Sequence, residues 1–137
     1  MRSLIFALAI ALPQLAAAQD GNAGIAFVQA PEQSSGFAMG ATPQEAFDRA
    51  VAICVEGGAY AEDCILTNWC QPAGWSVDLF VMHQEGIHWH EVVCGLTDEQ
   101  IARSVAAAVC DKDQREYLAE CELVQIYNPD GLEQIAY

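Results

Sequence analysis

Basic residues are scarce in this chain. Five lysines and arginines stand against nineteen aspartates and glutamates, giving a formal net charge of −14. So acidic a surface cannot neutralise a phosphate backbone, which excludes nucleic acid as a partner. Metal-type cysteine pairs are missing too. Structural zinc sites usually place cysteines about two to four residues apart, whereas Cys54, Cys64, Cys70, Cys94, Cys110 and Cys121 never come that close. No G-x-S-x-G nucleophile segment occurs, and no lysine accompanies Gly57-Gly58 to make a phosphate loop. No catalytic residue is therefore assigned. No apolar run reaches the roughly 20 residues a membrane helix requires.

What is present starts with Arg2, an apolar stretch from Leu4 to Leu15 broken only by Pro13 and Gln14, and Ala16-Ala17-Ala18 before Gln19. This is the pattern of a secretory signal peptide covering residues 1–18. Residues 19–137 then have the length of a single exported domain. They are one charge more negative than the whole chain because Arg2 leaves with the leader. No cysteine follows the cleavage point, so no lipid anchor is expected, and the protein is expected in the periplasm or the medium. All six cysteines lie in the mature part, and an even count in an oxidising compartment reads as a disulfide framework.

The mature chain contains an internal repeat. Ala46-x-x-x-Ala50-x-Ala52-Ile53-Cys54 is echoed by Ala102-x-x-x-Ala106-x-Ala108-Val109-Cys110, with Asp63-Cys64 and Glu120-Cys121 downstream. Upstream, Gly40-x-Thr42 and Gly95-x-Thr97 match one residue out of step. Glu45 and Gln100 follow the two threonines at capping-box spacing, and Pro43 suits a first helical position. Helices are therefore expected over about 43–55 and 98–110, each with alanines four apart on the face turned to a sheet.

Apolar and alternating runs predict strands at 24–29, 36–39, 64–68, 75–83, 87–94 and 121–127. The expected fold is a single α+β domain of two β-β-α-β halves, about 24–70 and 74–127, sharing one antiparallel sheet with both helices packed on it. The tail after Asn128-Pro129-Asp130-Gly131 is expected to fray. Fifteen cysteine pairings are possible in principle. Equivalence of the halves selects Cys54 with Cys64 and Cys110 with Cys121, and leaves Cys70 for Cys94. Loops of this size contribute roughly 3 kcal/mol each by loop-closure entropy, a large share of a stability of about 5–15 kcal/mol.

Gly24-Ile25-Ala26, Gly36-Phe37-Ala38-Met39-Gly40, the helix motif ending in Cys54, Gly57-Gly58, Asp63-Cys64 and Cys70 together resemble the exported bacterial family catalogued as domain of unknown function 4189. The resemblance covers about residues 24–75. It implies a small α+β fold with helix-to-strand disulfides outside the cytoplasm, and it implies no activity.

The three histidines, His83, His88 and His90, fall within eight positions around a turn expected at Glu85-Gly86. Residues two apart on a strand share a face, so His88 and His90 project together, and a tight turn would set His83 directly opposite His88. Three such imidazoles could hold Zn²⁺ or Cu²⁺. The alternative is an ordinary cross-strand histidine pair. Glu91 alternates to the other face and Glu85 sits in the turn, so neither is placed to act as a general base. Ser76 and Ser104 have no histidine beside them in sequence. Trp89 must face opposite to its two histidine neighbours, so either it or they point outward. If Trp89 does, it is the candidate anchor for a partner.

The function read from these features is a non-enzymatic exported binding module, of inhibitor or immunity type, engaging a cationic protein through its acidic surface. The alternatives are a small metal-binding protein or metalloenzyme built on the histidine hairpin, and a structural envelope protein.

Overall fold

Thr42 starts the first helix as its spacing demands. In this computed structural model, which describes residues 22–134, the Thr42 hydroxyl accepts the Glu45 N–H at 3.2 Å, and the Glu45 carboxylate reaches back to the Ala41 N–H at 3.0 Å. The helix α1 runs Pro43–Glu56. It follows β1 (Gly24–Ala30) and β2 (Ser34–Gly40) and precedes β3 (Ile65–Cys70). The second half supplies β4 (Trp75–His83), β5 (His88–Leu96), α2 (Glu99–Val109), β6 (Leu118–Tyr127) and a short β7 (Glu133–Gln134). The expected signal peptide lies outside the described residues.

The second helix begins one residue later than its threonine suggests. Asp98, not Thr97, is the N-cap, its carboxylate accepting the Ile101 N–H at 2.8 Å. A carboxylate is the better cap because it also meets the positive end of the helix dipole. The shift removes the mismatch in the repeat: Thr42 and Asp98 now stand at the same spacing as Ala46 and Ala102, and as Cys54 and Cys110.

The strands do not share one sheet. β2-β1-β3 form one antiparallel sheet and β5-β4-β6-β7 a second. Helix α1 packs on the first through Ala46, Ala50 and Cys54, and α2 on the second through Ala102 and Ala106. Close approach requires Gly36, since a Cβ there would run into the Ala50 carbonyl of α1. The sheets turn their other faces toward each other. Between them lie Ile25 and Phe27 of β1, Phe37 and Met39 of β2, Val92 and Cys94 of β5, and Tyr127 of β6.

A continuous sheet would need a strand along the outer edge of β5. Side-chain amides meet that edge instead. Gln29 accepts the His90 N–H at 3.0 Å and donates to the His90 carbonyl at 2.8 Å, and Asn68 donates to the Val92 carbonyl at 3.1 Å. Disulfides join Cys54 to Cys64, Cys110 to Cys121 and Cys70 to Cys94, and no cysteine is free. The first two staple each helix end to the next strand or its approach. The third ties β3 to β5 across the sheets.

The tail does not fray at Asn128. The Asn128 side chain accepts the Asp130 and Leu132 N–H groups at 3.0 and 2.9 Å, and Gly131 takes a positive φ of 73°. This turn, of the kind asparagine favours, returns the chain so that Glu133 and Gln134 pair with Tyr127 and Ile126.

Candidate functional site

Alternation along β4 divides the second sheet into two faces. Val77, Leu79 and Val81 point to α2, with Cys121 and Leu123 of β6 packed beside them. Their neighbours point to the opposite face. Register places His90, Phe80 and Glu122 in one row across β5, β4 and β6, and His88, Met82 and Glu120 in the next. The first sheet covers this face over Val92, Tyr127 and Asp78 and reaches as far as His90 through Gln29. Beyond that the face is open, and Phe80, Met82, His88 and His90 are half-buried while Glu120 and Glu122 are exposed.

The β1–β2 turn forms the wall of the open part. Between Pro31-Glu32-Gln33-Ser34-Ser35 and the β5 side of the floor lies a cleft of about 190 Å³, lined also by Gln29, Phe80, His88 and His90. His90 is held at its base from three directions. Gln29 binds both its backbone groups, and the carboxylate of Asp78, a buried residue, meets its Nδ1 at 2.8 Å. The Asp78 hydrogen bond raises the His90 pKa above the ordinary 6.5, partial burial opposes it, and the Asp78 charge adds to the rise. His88 turns to a different carboxylate, with its Nδ1 3.7 Å from Glu32. The Phe80 ring lies against both imidazoles, 5.4 Å from His88 and 6.4 Å from His90 between ring centroids.

His83 is not part of this group. The connection after β4 is a three-residue loop, Gln84-Glu85-Gly86, with His83 N–H bonded to the Ile87 carbonyl at 2.8 Å. A three-residue hairpin loop with a positive-φ glycine is a standard alternative to the two-residue turn, and Gly86 has φ 90°. The one-residue change sets Met82 rather than His83 opposite His88 and sends His83 to the other face. There it stacks on Tyr117, with ring centroids 5.4 Å apart. Among the described residues, no three histidine, cysteine, aspartate or glutamate side chains converge to hold a metal ion. The expected three-imidazole arrangement of His83, His88 and His90 is thus not formed.

Trp89 is half-buried: it packs against the α2-side core with Val77, Leu79 and Val81 and also lines the cleft. Glu91, on the same side, is bound by the Arg115 guanidinium through two contacts of 2.8 and 3.2 Å. Ser76 is fully buried with its hydroxyl unpartnered, and Ser104 donates to the Gln100 carbonyl of its own helix at 2.8 Å. Neither is paired with a histidine.

Reasoning from sequence passed over Gln29, Glu32, Asp78, Glu120 and Glu122. The pattern Glu120-x-Glu122 repeats the two-residue spacing of His88-x-His90 and was the available signal. It becomes informative only once β4 is known to lie between β5 and β6.

No family model, curated protein or solved structure matches this chain. The three disulfides form, and no described helix is long and apolar enough to cross a membrane.

Proposed function

We propose that this protein is an exported, non-enzymatic binding module that engages a basic protein partner through its acidic surface. One observation carries the reading: every lysine and arginine of the described chain is already engaged within it. Arg49 pairs with Glu45 at 2.6 Å, Arg103 with Glu99 at 2.7 Å and Arg115 with Glu91 at 2.8 Å, while Lys112 donates to the Ala119 carbonyl at 2.7 Å. Among the described residues the other carboxylates have no lysine or arginine partner, so the field around the molecule is negative and attracts cations over long range. The leader-like N-terminus and the disulfide staples support export. The proposed kinship with domain of unknown function 4189 rests on the first half, where β1, β2, α1 and Cys54–Cys64 carry its residues.

Immobilised mature protein is the bait for the test, with envelope extract applied at about 10 mM and about 150 mM salt. Screening shortens from about 30 Å to about 8 Å over that range. Basic proteins are enriched at the lower salt, and the purified captured protein associates more slowly as salt rises while its dissociation changes little. Capture without preference for basic proteins, or an association rate indifferent to salt, overturns the reading.

A further inference from the structure

We propose that the open half of the second sheet's inner face is the docking groove for that basic partner, and that it receives an arginine or lysine side chain. This deepens the function proposed above and rests on it. The floor is Phe80 and Met82, both half-buried. In register beside them on β6 stand Glu122 and Glu120, both exposed and neither ion-paired among the described residues. His90 and His88 flank the floor on β5, and Glu32 closes the cleft from the β1–β2 turn.

Each part suits a long basic side chain. Such a chain lays its methylenes along apolar surface and keeps its charged head among polar groups. Phe80 offers a ring face to a cation, Met82 an adaptable apolar contact, and Glu120 and Glu122 two carboxylates on the adjacent strand. Arginine gains most, because its planar fork meets carboxylates in pairs. The adjoining cleft of about 190 Å³, lined by Phe80, His88, His90 and the β1–β2 turn but not by Met82, Glu120 or Glu122, is smaller than the roughly 300–1,000 Å³ of small-molecule sites, which suits one side chain on the Phe80 side of the groove rather than a whole ligand. A second copy of this chain is disfavoured as occupant, since both surfaces would carry the same strong negative charge.

The probe is a short peptide whose only charged groups are two arginines, with a counterpart in which both are citrulline, similar in shape and without charge. Binding to isotope-labelled mature protein is followed by NMR at low salt. The expected result is shifts concentrated at residues 80–90 and 120–122, and affinity lowered about tenfold for the citrulline peptide. The Glu120→Gln/Glu122→Gln variant also binds about tenfold more weakly, whereas Glu56→Gln/Glu62→Gln, which removes equal charge elsewhere, loses much less. Phe80→Leu, with the carboxylates intact, binds less well than wild type. Equal weakening by the two glutamine pairs, or shifts scattered over the surface, overturns the groove but leaves the acidic-surface function standing. Failure of the arginine peptide to bind, together with no basic protein captured at low salt, overturns both. Concentration-dependent dimerisation through this face, measured by sedimentation, would also overturn the groove.

Discussion

The Gln29 carboxamide pairs with the His90 backbone as a neighbouring strand would, accepting its N–H at 3.0 Å and donating to its carbonyl at 2.8 Å. One side chain thereby meets two peptide groups and fixes the first sheet against the histidine strand of the second. Gln29→Leu keeps much of the bulk but leaves both peptide groups of His90 without a partner. Stability in urea unfolding is expected to fall by about 2 kcal/mol. The Thr67→Val variant, which removes only a hydroxyl that donates to the Phe27 carbonyl of its own sheet, loses less. Equal losses would remove the special role given to Gln29.

His90 titrates above its ordinary value of 6.5 because Asp78 holds its ring. A group whose folded pKa is raised contributes stability that is fully present below its unfolded pKa and is lost as pH rises through the folded one. The stability difference between wild type and Asp78→Asn is therefore largest below about pH 6.5 and shrinks toward alkaline pH. NMR titration shows the His90 midpoint falling in the variant. An unmoved midpoint would separate the two residues electrostatically.

Gly36 lies where α1 crosses β2, and a Cβ there meets helix backbone rather than a flexible side-chain end. Gly36→Ala should cost about 2 kcal/mol, within the usual range for overpacking. Gly86→Ala supplies a contrast, since a Cβ at Gly86 meets nothing and only its positive φ resists the change. Calorimetry distinguishes the two. A Gly36→Ala protein as stable as wild type would show that the helix can move away freely.

Tyr127 closes the layer between the sheets, its ring 4.3 Å from that of Phe37 and 5.5 Å from that of Phe27. Burial is the main cause, ahead of the Asp78 and Glu133 charges, that pushes its hydroxyl well above the ordinary value. Tyr127→Ala should destabilise by about 3 kcal/mol or more, as large aromatic truncations do. Its phenol should also stay neutral at alkaline pH where a free tyrosine, of pKa about 10, ionises. Early ionisation of Tyr127 would mean that water enters the layer.

Much of the fold was legible because the chain states it twice. Alanine spacing, caps and cysteine positions in one half corroborate the other, and the pairing of all three disulfides followed from that equivalence. Less legible was anything decided by one residue or by distant partners. A hairpin loop of three residues instead of two sends His83 away from His88. The choice between one sheet and two depends on Gln29 and Asn68, whose amides bond to a strand far along the chain. Asp78 and Glu122 belong to the candidate site only through strand order, which no local pattern carries.

The positions of the staples bear on the protein's survival among proteases. The two longest connections, after α1 and after α2, each lie inside a ring closed by a cystine, Cys54–Cys64 and Cys110–Cys121. The exposed loop 84–86 lies inside the ring closed by Cys70–Cys94. A single backbone cut in any of these three places releases no fragment, because the two new ends stay covalently joined through sulfur. Such a nicked molecule keeps both sheets tethered and leaves each helix attached to its partner strand.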